Sequence, residues 1–179
     1  MLELILGGAR SGKSRYAEQR AATREKAIYI ATATAGDAEM QMRIQRHRED
    51  RLIAGPRWQT VEEPLLLAQT LREHAIDDGF VLVDCLTLWL TNLLLNDDAQ
   101  IFARERRALL AVLPTLAAQV VLVSNEVGQG VVPADPLSRR FVDESGRLHQ
   151  ELAQLCDRVV FVTAGLPMIL KDELQKEIR

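Results

Sequence analysis

Residues Gly7-Gly8-Ala9-Arg10-Ser11-Gly12-Lys13-Ser14 match the spacing G-x-x-x-x-G-K-[ST] at each specified position. Phosphate explains each residue type. The glycines let the backbone turn tightly and approach an anion closely. A row of N–H groups and the N-terminus of the following helix then point at that anion. Lys13 is placed to reach the β/γ oxygens of a nucleoside triphosphate, and the Ser14 hydroxyl to ligate Mg²⁺. A second carboxylate-bearing position, Asp84, closes the apolar run Phe80–Val83. There it is suited either to hold Mg²⁺ beside the phosphates or to cap the helix that opens near Leu86.

A third candidate lies in the segment Asp37–Arg51. Asp37 suits an N-cap and Glu39 the first turn of a helix. At about 100° per residue, Met40, Ile44, His47 and Arg51 share one face, and Arg43 lies one turn before His47. A lone helical histidine is ordinarily a surface or hydrogen-bonded core residue. A neutral imidazole among arginines also suits attack on phosphorus, with the guanidiniums neutralising phosphate oxygens. Spacing alone leaves both readings open. The run Ser124-Asn125-Glu126-Val127-Gly128-Gln129-Gly130 offers polar groups and glycines suited to a substrate or nucleotide loop. It is not the Asn-Lys-x-Asp guanine-recognition motif of regulatory GTPases. Arg139 and Arg140 suit an anion clamp or a solvated turn equally, and His74 and His149 are assigned no role.

Chemistry of this kind needs a rigid frame. Five short apolar runs, Leu2–Leu6, Ala27–Ala31, Phe80–Val83, Val120–Val123 and Val159–Val162, read as strands buried on both faces. Helix-length stretches separate them, including Asp37–Arg51, Pro64–Ala75, Ala103–Leu113 and Asp143–Leu155. The alternation predicts an α/β fold of P-loop NTPase type, a mostly parallel sheet with helices on both faces. Ligands in such folds gather at the carboxyl ends of the strands, where all the candidates above sit. Small residues after the second strand, Thr32-Ala33-Thr34-Ala35-Gly36, leave room there for a ligand. Residues 1–179 read as one domain, without repeats or linkers.

Composition narrows the class. A net charge of -3 argues against a general nucleic-acid binder. Cys85 and Cys156 lack metal-ligand spacing and read as buried free thiols of a reducing compartment. The longest apolar stretch, Phe80–Leu95, is interrupted by polar residues and predicts no membrane span. The first strand begins almost at Met1, leaving no room for a leader, so a cytoplasmic protein is expected. The run Leu88-Trp89-Leu90 with Leu93-Leu94-Leu95 exceeds one helix face. It suits core by default, or else a subunit interface or the wall of a site for a large apolar substrate.

An ordered set of motifs covers nearly the whole chain. It runs from the phosphate loop through Tyr29-Ile30-Ala31-Thr32, Arg43-Ile44-Gln45-Arg46-His47-Arg48 and Trp58-Gln59-Thr60-Val61-Glu62-Glu63-Pro64. It continues with Asp84-Cys85-Leu86-Thr87, Thr91-Asn92-Leu93-Leu94 and Ser124-Asn125-Glu126-Val127-Gly128, ending at Gly165-Leu166-Pro167. In this the chain resembles the bifunctional adenosylcobinamide kinase/adenosylcobinamide-phosphate guanylyltransferase family of cobalamin biosynthesis. The resemblance implies two steps. ATP or GTP phosphorylates the aminopropanol hydroxyl of adenosylcobinamide. GTP then guanylylates a histidine, matched here by His47, and the corrinoid phosphate takes the GMP to give adenosylcobinamide-GDP. The implied nucleotide site comprises the phosphate loop, Ala31, Thr32, Ala33, Arg48, Glu49, Asp50, Arg51, Glu62 and Asp84, with Mg²⁺ on Ser14 and Asp84. A homotrimer and a corrinoid substrate are implied as well. Val142 and His149 depart from the family's Arg and Asn. Two further readings share Lys13, Ser14 and Asp84: a small-metabolite P-loop kinase without guanylyl transfer, and a nucleotide-dependent switch that binds a protein partner.

Overall fold

The structure, a computed structural model, describes residues 1–33, 56–76 and 78–173. Its frame is a seven-stranded sheet. The strands are β1 (Leu2–Gly7), β2 (Lys26–Ala31), β3 (Arg57–Glu62), β4 (Phe80–Asp84), β5 (Gln119–Asn125), β6 (Arg158–Thr163) and β7 (Leu166–Asp172). Their order is β3-β2-β4-β5-β1-β6-β7. The first six strands in chain order pair in parallel, and only β7 runs antiparallel, against β6. The described helices are α1 (Lys13–Gln19), α2 (Leu67–His74), α3 (Leu86–Leu94), α4 (Ile101–Val112) and α5 (Pro136–Leu155).

All five apolar runs are strands, and they fill the five interior positions of the sheet between the edges β3 and β7. Every β1 residue is buried, as are Phe80–Val83 of β4 and Val120–Ser124 of β5. One core packs Leu4, Val83 and Leu122 against Leu67 and Leu71 of α2, Trp89 of α3, Leu109 of α4 and Leu152 of α5. On the opposite face a smaller core joins Ile5, Leu82 and Val123 to Ala17 of α1. Each fully buried leucine contributes roughly 1.5–3 kcal/mol of transfer free energy, so this two-sided packing fixes the sheet and with it the strand ends.

Two strands go beyond the sequence reading. β3 is an edge strand of mostly exposed polar residues, and β7 is the opposite, antiparallel edge. A two-residue turn, Ala164-Gly165, reverses the chain into β7, with φ of 51° and 78°. α5 begins seven residues before the expected Asp143. Asp135 caps it by accepting from Ser138 N at 2.8 Å, and Pro136 stands in the first turn. The expected helix Asp37–Arg51 lies outside the described residues. Among the described residues no helix is long and apolar enough to cross a membrane.

Candidate active site

The register of the parallel strands aligns one residue of each at the same sheet edge. Glu62 pairs with Ala31, Ala31 with Asp84 and Asp84 with Val123, and two residues further along β5 Asn125 pairs with Gly7. The resulting row crosses β3, β2, β4, β5 and β1. At about 4.8 Å per strand, Glu62 and the start of the phosphate loop are roughly 19 Å apart.

The phosphate loop leaves β1 at Gly7. A Cβ there would lie 2.4 Å from Val162 O, so only glycine lets the loop pass against β6. Gly12, with φ of 95°, occupies the N-cap of α1 and turns the loop into the helix. Arg10 also has a positive φ, 57°. Between these turns lies open space beside Gly8, where a Cβ would meet nothing within 4 Å. Lys13 is buried, and its Nζ donates to Gly8 O at 3.1 Å, which holds the ammonium across the loop. Ser11 Oγ is buried without a hydrogen-bond partner among the described residues. An orphaned hydroxyl beside a buried lysine fits an anion that takes up both. Ser14, half-buried in the first turn of α1, completes the loop.

Asp84 does not cap α3. Cys85 holds the N-cap position and makes no side-chain cap bond, while Asp84 Oδ2 accepts from Tyr29 Oη at 3.0 Å. That bond orients the carboxylate at the carboxyl end of β4. Asp84 and Ser14 are hard oxygen donors, the kind Mg²⁺ takes one or two at a time alongside substrate phosphates. Thr32 is fully buried. Its hydroxyl donates to Cys85 O at 2.6 Å and accepts from Cys85 N at 3.0 Å, and its carbonyl accepts from Asn92 Nδ2 at 2.8 Å. It therefore ties the end of β2 to the start of α3. Ala31 is buried and Ala33 half-buried beside it, and Glu62 is exposed at the end of β3. His47, Arg48, Glu49, Asp50 and Arg51 lie outside the described residues, as does Arg43.

A cavity of about 450 Å³ opens against the phosphate loop, lined by Gly8, Ala9, Arg10 and Ser11, by Glu126 and Gln129 after β5, and by Phe161, Thr163 and Ala164. Behind Glu126 lies His149 of α5. Its Nε2 is 2.8 Å from Ser124 Oγ, and its Nδ1 is 3.7 Å from Glu126 Oε2. Burial lowers its proton affinity more than Glu126 raises it, so the ring is neutral near pH 7. Glu126 Oε1 accepts from Gly128 N at 2.6 Å. Sequence reasoning flagged the Ser124–Gly130 loop but neither Glu126 by itself nor His149. The loop position of Glu126 was visible; the approach of α5 was not.

Other candidates resolve into structure. Arg139 Nη1 donates to Pro133 O at 3.1 Å and to Ala134 O, and Arg140 stacks over Phe102. Trp89, Leu90 and Leu93 are core, whereas Leu94 and Leu95 line an apolar cleft of about 330 Å³ with Pro133, Leu137, Phe141 and Val142. Both cysteines are free and buried. Burial raises the Cys85 thiol pKa and pushes that of Cys156 up to about 12.

Comparison with known proteins agrees with this geometry. The family described as cobinamide kinase / cobinamide phosphate guanyltransferase matches residues 3–170. The bifunctional adenosylcobalamin biosynthesis protein CobP of Pseudomonas aeruginosa is 59% identical over 174 residues, 97% of this chain and 99% of that protein. The bifunctional adenosylcobalamin biosynthesis protein CobU of Escherichia coli is 37% identical over 184 residues, 96% of this chain and 100% of that protein. Among solved structures, a prototypical ATPase from the type III secretion system of pathogenic bacteria superposes with a TM-score of 0.50 at 13% identity. The match covers 98% of this chain and 57% of that one. At that identity the likeness concerns the fold alone, which is that of a P-loop NTPase.

Proposed function

The chain belongs to the cobinamide kinase / cobinamide phosphate guanyltransferase family, and from that premise we propose how its residues carry the two reactions. It is a bifunctional enzyme of adenosylcobalamin biosynthesis, a cobinamide kinase and a cobinamide-phosphate guanylyltransferase. Its substrates are ATP or GTP and the corrinoid. The observation that carries the residue assignment is the phosphate loop, open at Gly8, with Lys13 held across it and Ser11 Oγ orphaned inside it.

In the kinase step Lys13 and the loop N–H groups bind the β- and γ-phosphates and neutralise the charge that builds on the transferring group. Ser14 and Asp84 would hold Mg²⁺, which would offset phosphate charge when bound. Tyr29 keeps Asp84 aimed at that position. In the guanylyl step an imidazole nitrogen of His47 attacks the α-phosphorus of GTP, a phosphorus–nitrogen bond forms, and pyrophosphate leaves. A phosphate oxygen of cobinamide phosphate then displaces His47 and takes the GMP. Arg48 and Arg51 balance phosphate charge, and Glu49, Asp50 and Glu62 complete the nucleoside side with Ala31, Thr32 and Ala33. The enzyme acts as one domain over residues 1–179 and as a cytoplasmic homotrimer. The exposed apolar edge of β7 and the Leu94–Val142 cleft supply surface for subunit contacts.

The test is product analysis with adenosylcobinamide, ATP, GTP and Mg²⁺. The wild type should yield first the phosphate and then the GDP derivative. Lys13→Ala should lower both rates at least 100-fold. A chain that gives the phosphate but never the GDP derivative would reduce the assignment to a kinase.

A further inference from the structure

We infer that Glu126 is the proton acceptor of the kinase step, with His149 behind it as a positioning residue. The inference rests on the kinase reading above and adds a catalytic group to it.

β5 lies between β1, which carries the phosphate loop, and β4, which carries Asp84. Whatever projects from the end of β5 therefore faces the end of a phosphate chain bound between them. Glu126 is the residue after that strand, and its N–H donates to Gly7 O at 3.0 Å, which continues the ladder up to the loop. Glu126 lines the 450 Å³ cavity together with Gly8 and Ser11. A cavity of that size admits the triphosphate end and a short alkyl alcohol arm, while a macrocycle stays outside.

The carboxylate is held from two sides. Oε1 is anchored by Gly128 N at 2.6 Å. Oε2 stands 3.7 Å from His149 Nδ1, too far for a full hydrogen bond but close enough to select a tautomer. The carboxylate favours hydrogen on Nδ1, leaving Nε2 to accept from the Ser124 hydroxyl at 2.8 Å. Buried Ser124 and His149 thus form a line that ends at the half-buried carboxylate of Glu126, a residue that lines the cavity. The lysine and loop amides supply charge neutralisation but cannot accept a proton, and Glu126 fills that gap.

The alcohol oxygen bonds to the γ-phosphorus, and the γ-phosphorus–bridging oxygen bond breaks, its electron pair leaving with the nucleoside diphosphate. The hydroxyl proton passes to Glu126 Oε2 and from there to solvent.

Glu126→Gln keeps the Gly128 hydrogen bond and the shape but removes the acceptor. It should lower kcat for cobinamide phosphorylation at least 100-fold, within the range for a lost general base. KM for cobinamide and the affinity for ATP should stay within threefold. Glu126→Asp, which retains a carboxylate, should recover at least tenfold over the glutamine variant. His149→Asn should lower kcat about tenfold in the wild type but less than twofold on Glu126→Gln, because it acts through that carboxylate. A Glu126→Gln enzyme with kcat within threefold of wild type overturns the inference and leaves the kinase reading intact. So does loss of ATP affinity matching the loss of kcat, or an aspartate variant no better than glutamine. A wild-type chain that phosphorylates no cobinamide sinks both.

Discussion

Burial of the His149 ring lowers its pKa below the ordinary value of 6.5, and the facing Glu126 only partly offsets this. Its stability contribution follows from linkage. Between the folded pKa and 6.5 the unfolded chain binds more protons than the folded one, so stability rises with pH across that window. The contribution is complete above 6.5 and is lost as pH falls through the folded value. An NMR titration of the ring should give a midpoint below 6.5, and chemical denaturation should show wild type losing more stability than His149→Asn between pH 7 and pH 5. A midpoint at or above 6.5 would contradict the neutral ring. The contrast with Lys13 shows what a sequence exposes at this scale. Lys13 sits in a motif whose parts are consecutive, so its chemistry is visible in eight residues. His149 gains its meaning from Ser124, twenty-five positions away on another element, and no local spacing carries that.

Elements show the same division. β1 is wholly buried yet contains Glu3, whose Oε2 accepts from Arg20 Nε at 2.8 Å just beyond α1, with Arg158 Nε of β6 3.6 Å from Oε1. Removing the near partner leaves a buried carboxylate, so Arg20→Ala should cost about 3 kcal/mol, the lower end for a broken buried pair because Arg158 remains. Urea denaturation measures this, and a loss below about 1 kcal/mol would show that Arg158 alone suffices. The central strands were legible because apolar, β-branched residues on both faces leave little other reading. β3 was not, since an exposed edge relaxes that demand and leaves Arg57-Trp58-Gln59-Thr60-Val61-Glu62 looking like a loop. β7 carries Pro167, which argues against an interior strand and is tolerated only at an edge. The first two turns of α5 were missed because Arg139 and Arg140 are spent on local contacts with Pro133, Ala134 and Phe102.

At the scale of the whole molecule, parallel strands place every described candidate residue along one edge of the sheet. The phosphate loop and Glu126 share one cavity, while Glu62 lies at the far end, roughly 19 Å away at about 4.8 Å per strand. That length suits a nucleotide laid along the edge, phosphates at β1 and nucleoside toward β3. The account assigns the second reaction to His47, and the decisive measurement is the intact mass of the protein after incubation with GTP and Mg²⁺, wild type beside His47→Ala. The expected result is a gain of one GMP, labile in acid, on the wild type and none on the variant. An equal adduct on both proteins, or no adduct on a wild type that still makes adenosylcobinamide-GDP, would contradict it.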